Sequence, residues 1–120
     1  MAKLLKVPMH SDERGDLIVI EKCLPFNIKR VFFIKNVPPN LKRGEHGHKK
    51  NKTALIAVNG SCSIYYDDGS NQKDIILNCP SKCLLLEPND WHVLYDFKDD
   101  CVLLALASEE YNIDDYVYNI

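Results

Sequence analysis

The residues of this chain that could do chemistry begin with two histidines one position apart, His46 and His48. Residues i and i+2 of an extended strand lie on the same face of a sheet, so the two imidazoles would lie side by side. Such a pair suits a metal site, a catalytic base with its helper, or an ordinary exposed surface. The surrounding sequence has to discriminate between these three uses.

Four cationic residues lie close to the histidine pair: Arg43, Lys49, Lys50 and Lys52. Their charges would repel a divalent metal ion, whereas a bound anion would neutralise them. No carboxylate follows closely, because positions 49–53 read Lys-Lys-Asn-Lys-Thr. The cluster therefore favours a phosphate-bearing ligand beside the imidazoles, although an exposed basic edge stays possible for the pair taken alone.

The composition is that of one ordinary globular domain. The chain has 120 residues, enough for a single core, and 46% of them are apolar and 27% charged. A formal net charge of −2 predicts no nucleic-acid or membrane surface, and no apolar run is long enough to span a bilayer. Five cysteines without a secretory leader favour reduced thiols. We therefore expect a single cytoplasmic domain over residues 1–120.

Short apolar runs alternate with turn signals along the chain, and their length and richness in Val, Ile, Leu, Tyr and Phe are typical of β-strands. The runs are LIVIE (17–21), RVFFIK (30–35), TALIAV (53–58), CSIYY (62–66), DIIL (74–77), CLLLE (83–87), HVLYDF (92–97) and CVLLALA (101–107). Asn59-Gly60 predicts a hairpin, residues 98–100 predict a turn, and Ser108 could cap a short C-terminal helix. The pattern predicts an all-β antiparallel jelly-roll barrel.

A small jelly roll with an H-x-H pair resembles the cupins. Their metal-binding members carry a Glu soon after the pair and a further His in a later P-x-G-x-x-H stretch. Here the Glu is missing, and in the later stretch, residues 88–92, His92 comes one position early. A shift of one residue on a strand normally turns a side chain to the opposite face. We therefore expect no metal site, with the third histidine out of register.

The chain as a whole is similar to the sugar-nucleotide 3,4-ketoisomerases, cupin enzymes that act on dTDP-4-keto-6-deoxy-D-glucose. The landmarks span nearly the whole chain in order: Asp12-x-Arg14-Gly15, Pro25-Phe26, Lys29-Arg30-Val31-Phe32, Arg43-Gly44-x-His46-x-His48-Lys49, Asp67-Asp68-Gly69, Pro88-x-x-Trp91, Leu104-Ala105-Leu106-Ala107-Ser108-x-x-Tyr111 and Asp115-Tyr116. Two departures are Gly47 in place of an expected Ala, and Lys52-Thr53 in place of Glu-Gln.

The resemblance implies a role for each candidate residue. His46 would be the general base and His48 its helper, since histidine titrates near neutral pH. Arg14 and His92 would lie near the sugar, and Arg43 and Lys49 would meet the diphosphate. No metal and no cofactor would be needed, and the product would serve the biosynthesis of dTDP-3-amino-3,6-dideoxyhexoses for lipopolysaccharide or another surface glycan.

The resemblance also implies an assembly and a product. Related enzymes are dimers that exchange strands, so we expect a homodimer. The combination of Arg14 and His92 resembles the members that form dTDP-3-keto-6-deoxy-D-galactose. Two other functions fit the same residues: a sugar- or anion-binding cupin without chemistry, and a nucleotide-sugar epimerase.

Overall fold

The computed structural model describes residues 1–118, and these residues form strands and one single-turn 3₁₀ helix, Ile113–Asp115. The strands are β1 (Lys3–Lys6), β2 (Met9–Asp12), β3 (Gly15–Ile18), β4 (Arg30–Lys35), β5 (Arg43–His48), β6 (Thr53–Asp67), β7 (Gln72–Leu77), β8 (Lys82–Leu86), β9 (Trp91–Ala107) and β10 (Tyr116–Val117). All the strand pairs are antiparallel. The all-β prediction is confirmed.

Two long strands organise the barrel. In the main sheet the order is β1-β8-β6-β9-β5-β10, with β4 on β9 and β7 on β6. The first part of β6 pairs with β8 and with the end of β9, whereas its second part pairs with β7 and with the start of β9. Each long strand therefore belongs to two layers. One layer has the order β1-β8-β6-β9-β4, and the other has the order β7-β6-β9-β5-β10.

The predicted hairpin at Asn59-Gly60 and the predicted turn at residues 98–100 are both wrong, because β6 and β9 run through these positions. The strands bend there instead. Gly60 has a φ of +63°, and a Cβ on it would lie 2.5 Å from the carbonyl oxygen of Asp99. Asp99 and Asp100 also have positive φ, and the Asn59 side chain donates to both of their carbonyl oxygens. The turn-forming residues therefore bend a continuous strand pair.

The predicted C-terminal helix is shorter than expected and differently capped. Its N-cap is Asn112, whose side chain accepts from the backbone N–H of Asp114 at 3.0 Å. Ser108 is buried and its hydroxyl accepts instead from the backbone N–H of Lys52 at 2.9 Å. Ser108 therefore fixes the segment that follows the histidine pair.

The main core fills the barrel between the two layers. It combines side chains from both parts of the long strands, including Leu55, Ile64, Leu94 and Leu103. Cys62, Cys83 and Cys101 are buried, as core packing of these apolar runs predicts, and all five cysteines are free. No helix among residues 1–118 is both long and apolar enough to cross a bilayer.

The β2–β3 hairpin lies outside the main sheet, although Ile18 at the end of β3 packs against a core cluster of the barrel. Its two strands pair with each other and form a separate two-stranded sheet. Met9 is 45% exposed and Leu17 is 62% exposed on this hairpin. Two more large apolar side chains, Val31 and Phe33, are exposed on β4, whose one strand partner among residues 1–118 is β9. The chain thus leaves two apolar side chains of the hairpin and an apolar face of β4 uncovered.

Candidate active site

Three histidines meet at one end of the barrel. His46 on β5 lies directly opposite His92 on β9, and His92 lies opposite Tyr66 on β6, so these residues form a row on the inner face. The ring centroids of His46 and His92 are 4.9 Å apart, and those of His46 and His48 are 5.1 Å apart. The prediction that His92 would be out of register is therefore wrong.

A bulge in β5 accounts for this register. The pairing with β9 shifts between Gly44 and His46, and both Gly44 and Glu45 have positive φ. A Cβ on Gly44 would lie 3.1 Å from the carbonyl oxygen of His92, so only glycine fits this close approach without displacement. Bulges of this kind are common next to functional sites, where they change the direction of a side chain. The bulge brings His46 and His92 to the same cavity.

The C-terminal segment closes the other side of the histidine group. In β10, Tyr116 pairs with His48 and Val117 pairs with Gly47. The Tyr116 ring lies 4.6 Å, centroid to centroid, from both His46 and His48. Gly47 faces the Asp90 carbonyl, which a Cβ would approach to 3.1 Å. The glycine that departs from the family pattern therefore lies where the backbones are tightly packed.

The hydrogen bonds fix the tautomer of each imidazole. Nδ1 of His46 lies 2.9 Å from the Gly44 carbonyl oxygen, and Nδ1 of His92 lies 3.2 Å from the Asp90 carbonyl oxygen. Nδ1 of His48 lies 3.0 Å from a carboxylate oxygen of Asp115. Because these oxygens can only accept, each Nδ1 carries a hydrogen and each neutral ring keeps its lone pair on Nε2.

Burial keeps the imidazoles neutral. It lowers the pKa of His46 below the ordinary histidine value, against a smaller opposing effect of the Gly44 carbonyl. Burial also lowers the pKa of His48, as does the neighbouring His46, while Asp115 opposes the shift. For His92, burial and then His46 lower the pKa to about 3. At neutral pH the three rings are therefore proton acceptors.

The histidines line a cavity of about 140 Å³ that also contains cationic groups. Arg43 on β5 and Arg30 on β4 both border it. The Arg30 guanidinium lies 5.3 Å from the Phe32 ring centroid and 5.9 Å from that of Tyr111, and its buried Nε has no hydrogen-bond partner among residues 1–118. Unpaired buried donors of a cation are costly, so an anionic ligand would stabilise this arrangement.

The predicted site residues divide into two groups. His46, His48, His92 and Arg43 line the cavity. Lys49 is exposed beside the cavity wall and does not line it. The Arg14 side chain is 84% exposed on the hairpin between β2 and β3, where it pairs with Asp12 at 2.7 Å. Within this chain Arg14 lies outside the histidine cavity.

Three residues of the cavity region received no catalytic or ligand-binding role from the sequence: Arg30, Asp115 and Tyr116, the last of which was expected, with Tyr111 and Tyr118, on a surface for a partner subunit. Each lies in a segment that carries the family resemblance. Arg30 was interpreted as a strand residue, and the Asp115-Tyr116 pair was interpreted as a landmark near the C-terminus. Their proximity to the histidines depends on pairing of β4 with β9 and of β10 with β5. Only the family resemblance could have indicated these residues, because the residues they contact are distant in the sequence.

The side chains that line the cavity also bear on metal binding. Within residues 1–118 no group of three or more His, Cys, Asp or Glu side chains is arranged to hold a metal ion. The guanidinium groups of Arg30 and Arg43 border the same cavity as the imidazoles. This donor set suits an anion better than a divalent cation.

A family model described as "FdtA: WxcM-like, C-terminal" matches residues 1–120. The chain belongs to this family. It is 43% identical over 108 residues to the TDP-4-oxo-6-deoxy-alpha-D-glucose-3,4-oxoisomerase of Aneurinibacillus thermoaerophilus, a match that covers 88% of this chain and 78% of that protein. The similarity to sugar-nucleotide 3,4-ketoisomerases that the sequence indicated is therefore confirmed.

Solved structures agree with this family membership. The QdtA 3,4-ketoisomerase of Thermoanaerobacterium thermosaccharolyticum, a double mutant in complex with TDP, is 43% identical with a TM-score of 0.95, covering 98% of this chain and 87% of that one. The WlaRB TDP-quinovose 3,4-ketoisomerase of Campylobacter jejuni is 40% identical with a TM-score of 0.93, covering 98% and 92%. The names of these relatives support an isomerase.

A more distant likeness bears on the fold alone. The rmlC epimerase of Mycobacterium tuberculosis is 17% identical, with a TM-score of 0.81, over 96% of this chain and 66% of that one. The predicted cupin-type barrel is thus confirmed by enzymes at two levels of similarity. The likeness says nothing about epimerisation in this chain.

Proposed function

We propose that this protein is a metal-independent dTDP-sugar 3,4-ketoisomerase that converts dTDP-4-keto-6-deoxy-D-glucose to dTDP-3-keto-6-deoxy-D-galactose. The observation that carries the proposal is the group of three neutral imidazoles in a cavity that two guanidinium groups border, in a chain of this family. Arg43 suits the diphosphate of the nucleotide, because a guanidinium can bind two phosphate oxygens at once.

In the proposed mechanism His46 removes the proton from C3 of the sugar. The electrons of that C–H bond form a C3–C4 double bond, and the C4 carbonyl oxygen takes the negative charge of an enediolate. His48 accepts the hydroxyl proton from the oxygen on C3 and delivers it to the oxygen on C4. His46 then returns its proton to C4, which leaves the carbonyl at C3. Both proton acceptors are Nε2 atoms of neutral imidazoles.

The enediolate needs positive charge beside its oxygen. Arg30 borders the cavity, and its buried Nε lacks a partner among residues 1–118. We propose that Arg30 stabilises this charge, because preorganised donors in a dry site stabilise a developing oxyanion strongly. The neighbouring His92, whose pKa is about 3, stays neutral and can contact the sugar without adding another charge.

The chemistry of the isomerisation requires proton transfer and charge stabilisation, which these side chains supply. A divalent ion in the same cavity would lie close to two guanidinium groups that repel it. We therefore expect full activity after chelation. Activity that EDTA abolishes and one metal restores would contradict the metal-independent mechanism.

The proposed product follows from the geometry of the ring. The C3 hydrogen of the substrate lies on the lower face, and a galacto product has its new C4 hydrogen on that same face. One base can therefore take the proton and return it without crossing the ring, whereas a gluco product needs a donor on the upper face. Arg14 and His92 are of the residue types that resemble the galacto-forming members.

We further propose that the enzyme is a homodimer in which the β2–β3 hairpin packs on the partner subunit. An isolated two-stranded hairpin is marginally stable in water, and this one exposes Met9 and Leu17. The exposed Val31 and Phe33 of β4 offer an apolar surface for a second copy. Exchange of the hairpin would carry Arg14 toward the partner's cavity. A monomeric mass by light scattering at working concentration would contradict the dimer.

The decisive experiment incubates the purified protein with dTDP-4-keto-6-deoxyglucose in D₂O and identifies the product by NMR. An isomerase gives a 3-keto sugar, which has hydrogen at C4 where His46 returns the proton it took and deuterium where that proton first exchanges with the solvent. An epimerase keeps the 4-keto group and exchanges the hydrogens on C3 and C5 for deuterium. A binding protein leaves the sugar unchanged. Trapping the labile product with a 3-aminotransferase then gives its configuration: small H3–H4 and H4–H5 couplings support galacto, and two large couplings contradict it.

A further inference from the structure

The carboxylate of Asp115 forms a compact set of hydrogen bonds around His48. One oxygen accepts from the backbone N–H of Lys50 at 2.8 Å. The other accepts from Nδ1 of His48 at 3.0 Å and from the backbone N–H of Asn51 at 3.3 Å. The side chains of His48 and Asp115 are only 10% and 11% exposed. This carboxylate thus connects the C-terminal segment to the strand that carries the catalytic histidines.

The chain holds Asp115 in this place by several independent contacts. The 3₁₀ helix ends at Asp115, and Asn112 caps its start. The Asp115 carbonyl oxygen accepts from the backbone N–H of Lys49 at 2.8 Å, and the next residue, Tyr116, enters the β10–β5 pairing opposite His48. The position of the carboxylate is therefore set by the backbone on both sides of it.

We infer that Asp115 is a positioning residue: it keeps the hydrogen of His48 on Nδ1 and so directs the Nε2 lone pair to the cavity. The catalytic consequence of this inference rests on the proposed function, in which His48 moves the hydroxyl proton between the oxygens on C3 and C4. A histidine with its hydrogen on Nε2 could not accept that proton. The hydrogen bond to the second ring nitrogen therefore decides whether His48 is competent.

Replacement of Asp115 by asparagine tests this role because an amide has one acceptor oxygen and one donor group. If the amide oxygen stays with the N–H of Lys50, its NH₂ group faces both Nδ1 of His48 and the N–H of Asn51, and it favours the His48 tautomer with hydrogen on Nε2. In the serine-protease triad the same exchange traps the wrong histidine tautomer and lowers kcat about 10⁴-fold. The effect on a proton shuttle is smaller, and we expect about 10- to 100-fold, as for other partners that orient a functional histidine.

Other groups face His48, and they determine how the pH profile responds. These are His46 on β5, His92 on β9, Arg30 on β4 and Tyr116 on β10. Asp115 is the group that opposes the lowering of the His48 pKa by burial, His46 and Arg30. Its loss removes a negative charge, so the protonation of His48 in the variant requires a lower pH than in the parent protein.

The experiment compares Asp115→Asn with Asp114→Asn, a matched control in which the neighbouring carboxylate is exposed. In the full-length protein labelled with ¹⁵N on histidine, NMR assigns the tautomer of His48 without any substrate. We expect hydrogen on Nδ1 in the parent and in Asp114→Asn, and hydrogen on Nε2 in Asp115→Asn. In turnover with dTDP-4-keto-6-deoxyglucose, Asp115→Asn should lower kcat about 10- to 100-fold with KM changed less than threefold, while Asp114→Asn leaves both near the parent values.

The outcomes separate the inference from the proposed function. An unchanged His48 tautomer in Asp115→Asn, or equal kcat losses in both variants at an unchanged melting temperature, overturns the positioning role. If Asp115→Asn fails to fold, Asp115→Glu replaces it: retention of Nδ1 protonation with partial activity supports the role, and its loss in a folded Glu variant overturns it. A tautomer change in a protein that shows no isomerase activity supports the positioning role and defeats the proposed function instead.

Discussion

The histidine cavity and the β2–β3 hairpin differ in how this chain holds them. His46, His48 and His92 sit on paired strands, and each Nδ1 donates a hydrogen bond: to the carbonyl oxygens of Gly44 and Asp90 for His46 and His92, and to the Asp115 carboxylate for His48. Arg14 sits on a hairpin that pairs only with itself, and its contact is with Asp12 two residues away. The chain organises its proposed proton-transfer groups internally and leaves one predicted sugar contact at the surface.

In the proposed homodimer, this difference separates the part of the site that one chain forms from the part that a second subunit would complete. Neutral imidazoles need burial and fixed acceptors, and the barrel supplies both. An arginine that contacts a ligand needs only a side chain long enough to reach it and a stably held backbone. An exchanged hairpin can provide both once a partner covers Met9 and Leu17. Substitutions in the cavity should therefore act inside one barrel, and substitutions in the hairpin should act between barrels.

The largest effect is expected from His46→Asn. An amide keeps the hydrogen bond to the Gly44 carbonyl but cannot accept the C3 proton, so turnover should fall about 10⁴-fold while TDP binding is nearly unchanged. His48→Asn should lower kcat less, about 100-fold, because water can replace part of a hydroxyl-proton shuttle. Single-turnover kinetics and TDP calorimetry measure the two quantities. Equal losses in both variants would assign the base role to the pair and not to His46.

Complementation between two variants tests whether the proposed site is divided between subunits. Arg14→Ala and His46→Asn, each poorly active alone, are mixed by co-refolding so that mixed dimers form. If the hairpin acts in the partner's cavity, each mixed dimer has one site with both native residues, and activity should recover to about a quarter of the parent value. A mixture no more active than its components would place Arg14 in the cavity of its own subunit or outside catalysis.

Smaller effects are expected from two glycines that both have positive φ. Gly44 has a φ of +88° and Gly69 has a φ of +91°, but only at Gly44 would a Cβ contact another residue, the His92 carbonyl. Gly69→Ala should cost about 1–2 kcal/mol of unfolding free energy from backbone strain alone. Gly44→Ala should cost more and also lower kcat, because His46 and His92 would move apart. Urea unfolding and turnover measure both, and equal costs with full activity would remove the close approach as a determinant of the site.

The fold could be predicted from the sequence wherever side-chain pattern and pairing agree. The run Arg30–Lys35 forms β4 with the predicted bounds, because alternating and apolar residues fit an edge strand of the barrel. Asn59-Gly60 and residues 98–100 have turn chemistry, yet they bend β6 and β9 without interrupting them, since each segment lies opposite the other. Local propensity identifies the bend, but only the partner strand decides whether the chain reverses there.

The site was predicted in part for a similar reason. The pair of His46 and His48 could be assigned to one face by alternation, and the structure places both in the cavity. His92 was expected on the opposite face because a regular strand was assumed, whereas the bulge at Gly44 and Glu45 shifts the register by which it meets His46. Asp115 approaches His48 from 67 positions away, so no local pattern could have revealed the contact. Irregular backbone and distant contacts thus escape pattern-based reasoning.

The smallest effect expected is on stability at mild acidity, and it again distinguishes the cavity from the hairpin. His92 has a folded-state pKa of about 3, below the ordinary value near 6.5, because burial and His46 disfavour its charged form. Between these two values the unfolded chain binds a proton that the folded chain does not. The stability that the neutral His92 contributes is therefore fully present above about pH 6.5 and is lost as the pH falls toward 3. The lowered pKa values of His46 and His48 act in the same direction.

His92→Asn removes this titration while keeping a donor for the Asp90 carbonyl, and His10→Asn is the matched control on the exposed hairpin. Melting temperatures measured from pH 7 to pH 4.5 should fall by several degrees more for the parent and for His10→Asn than for His92→Asn. This range stays above the titration of most carboxylates, so histidine protonation dominates the difference. Parallel curves for all three proteins would show that His92 is not held neutral by the cavity, and the contrast between buried and exposed histidines would fail.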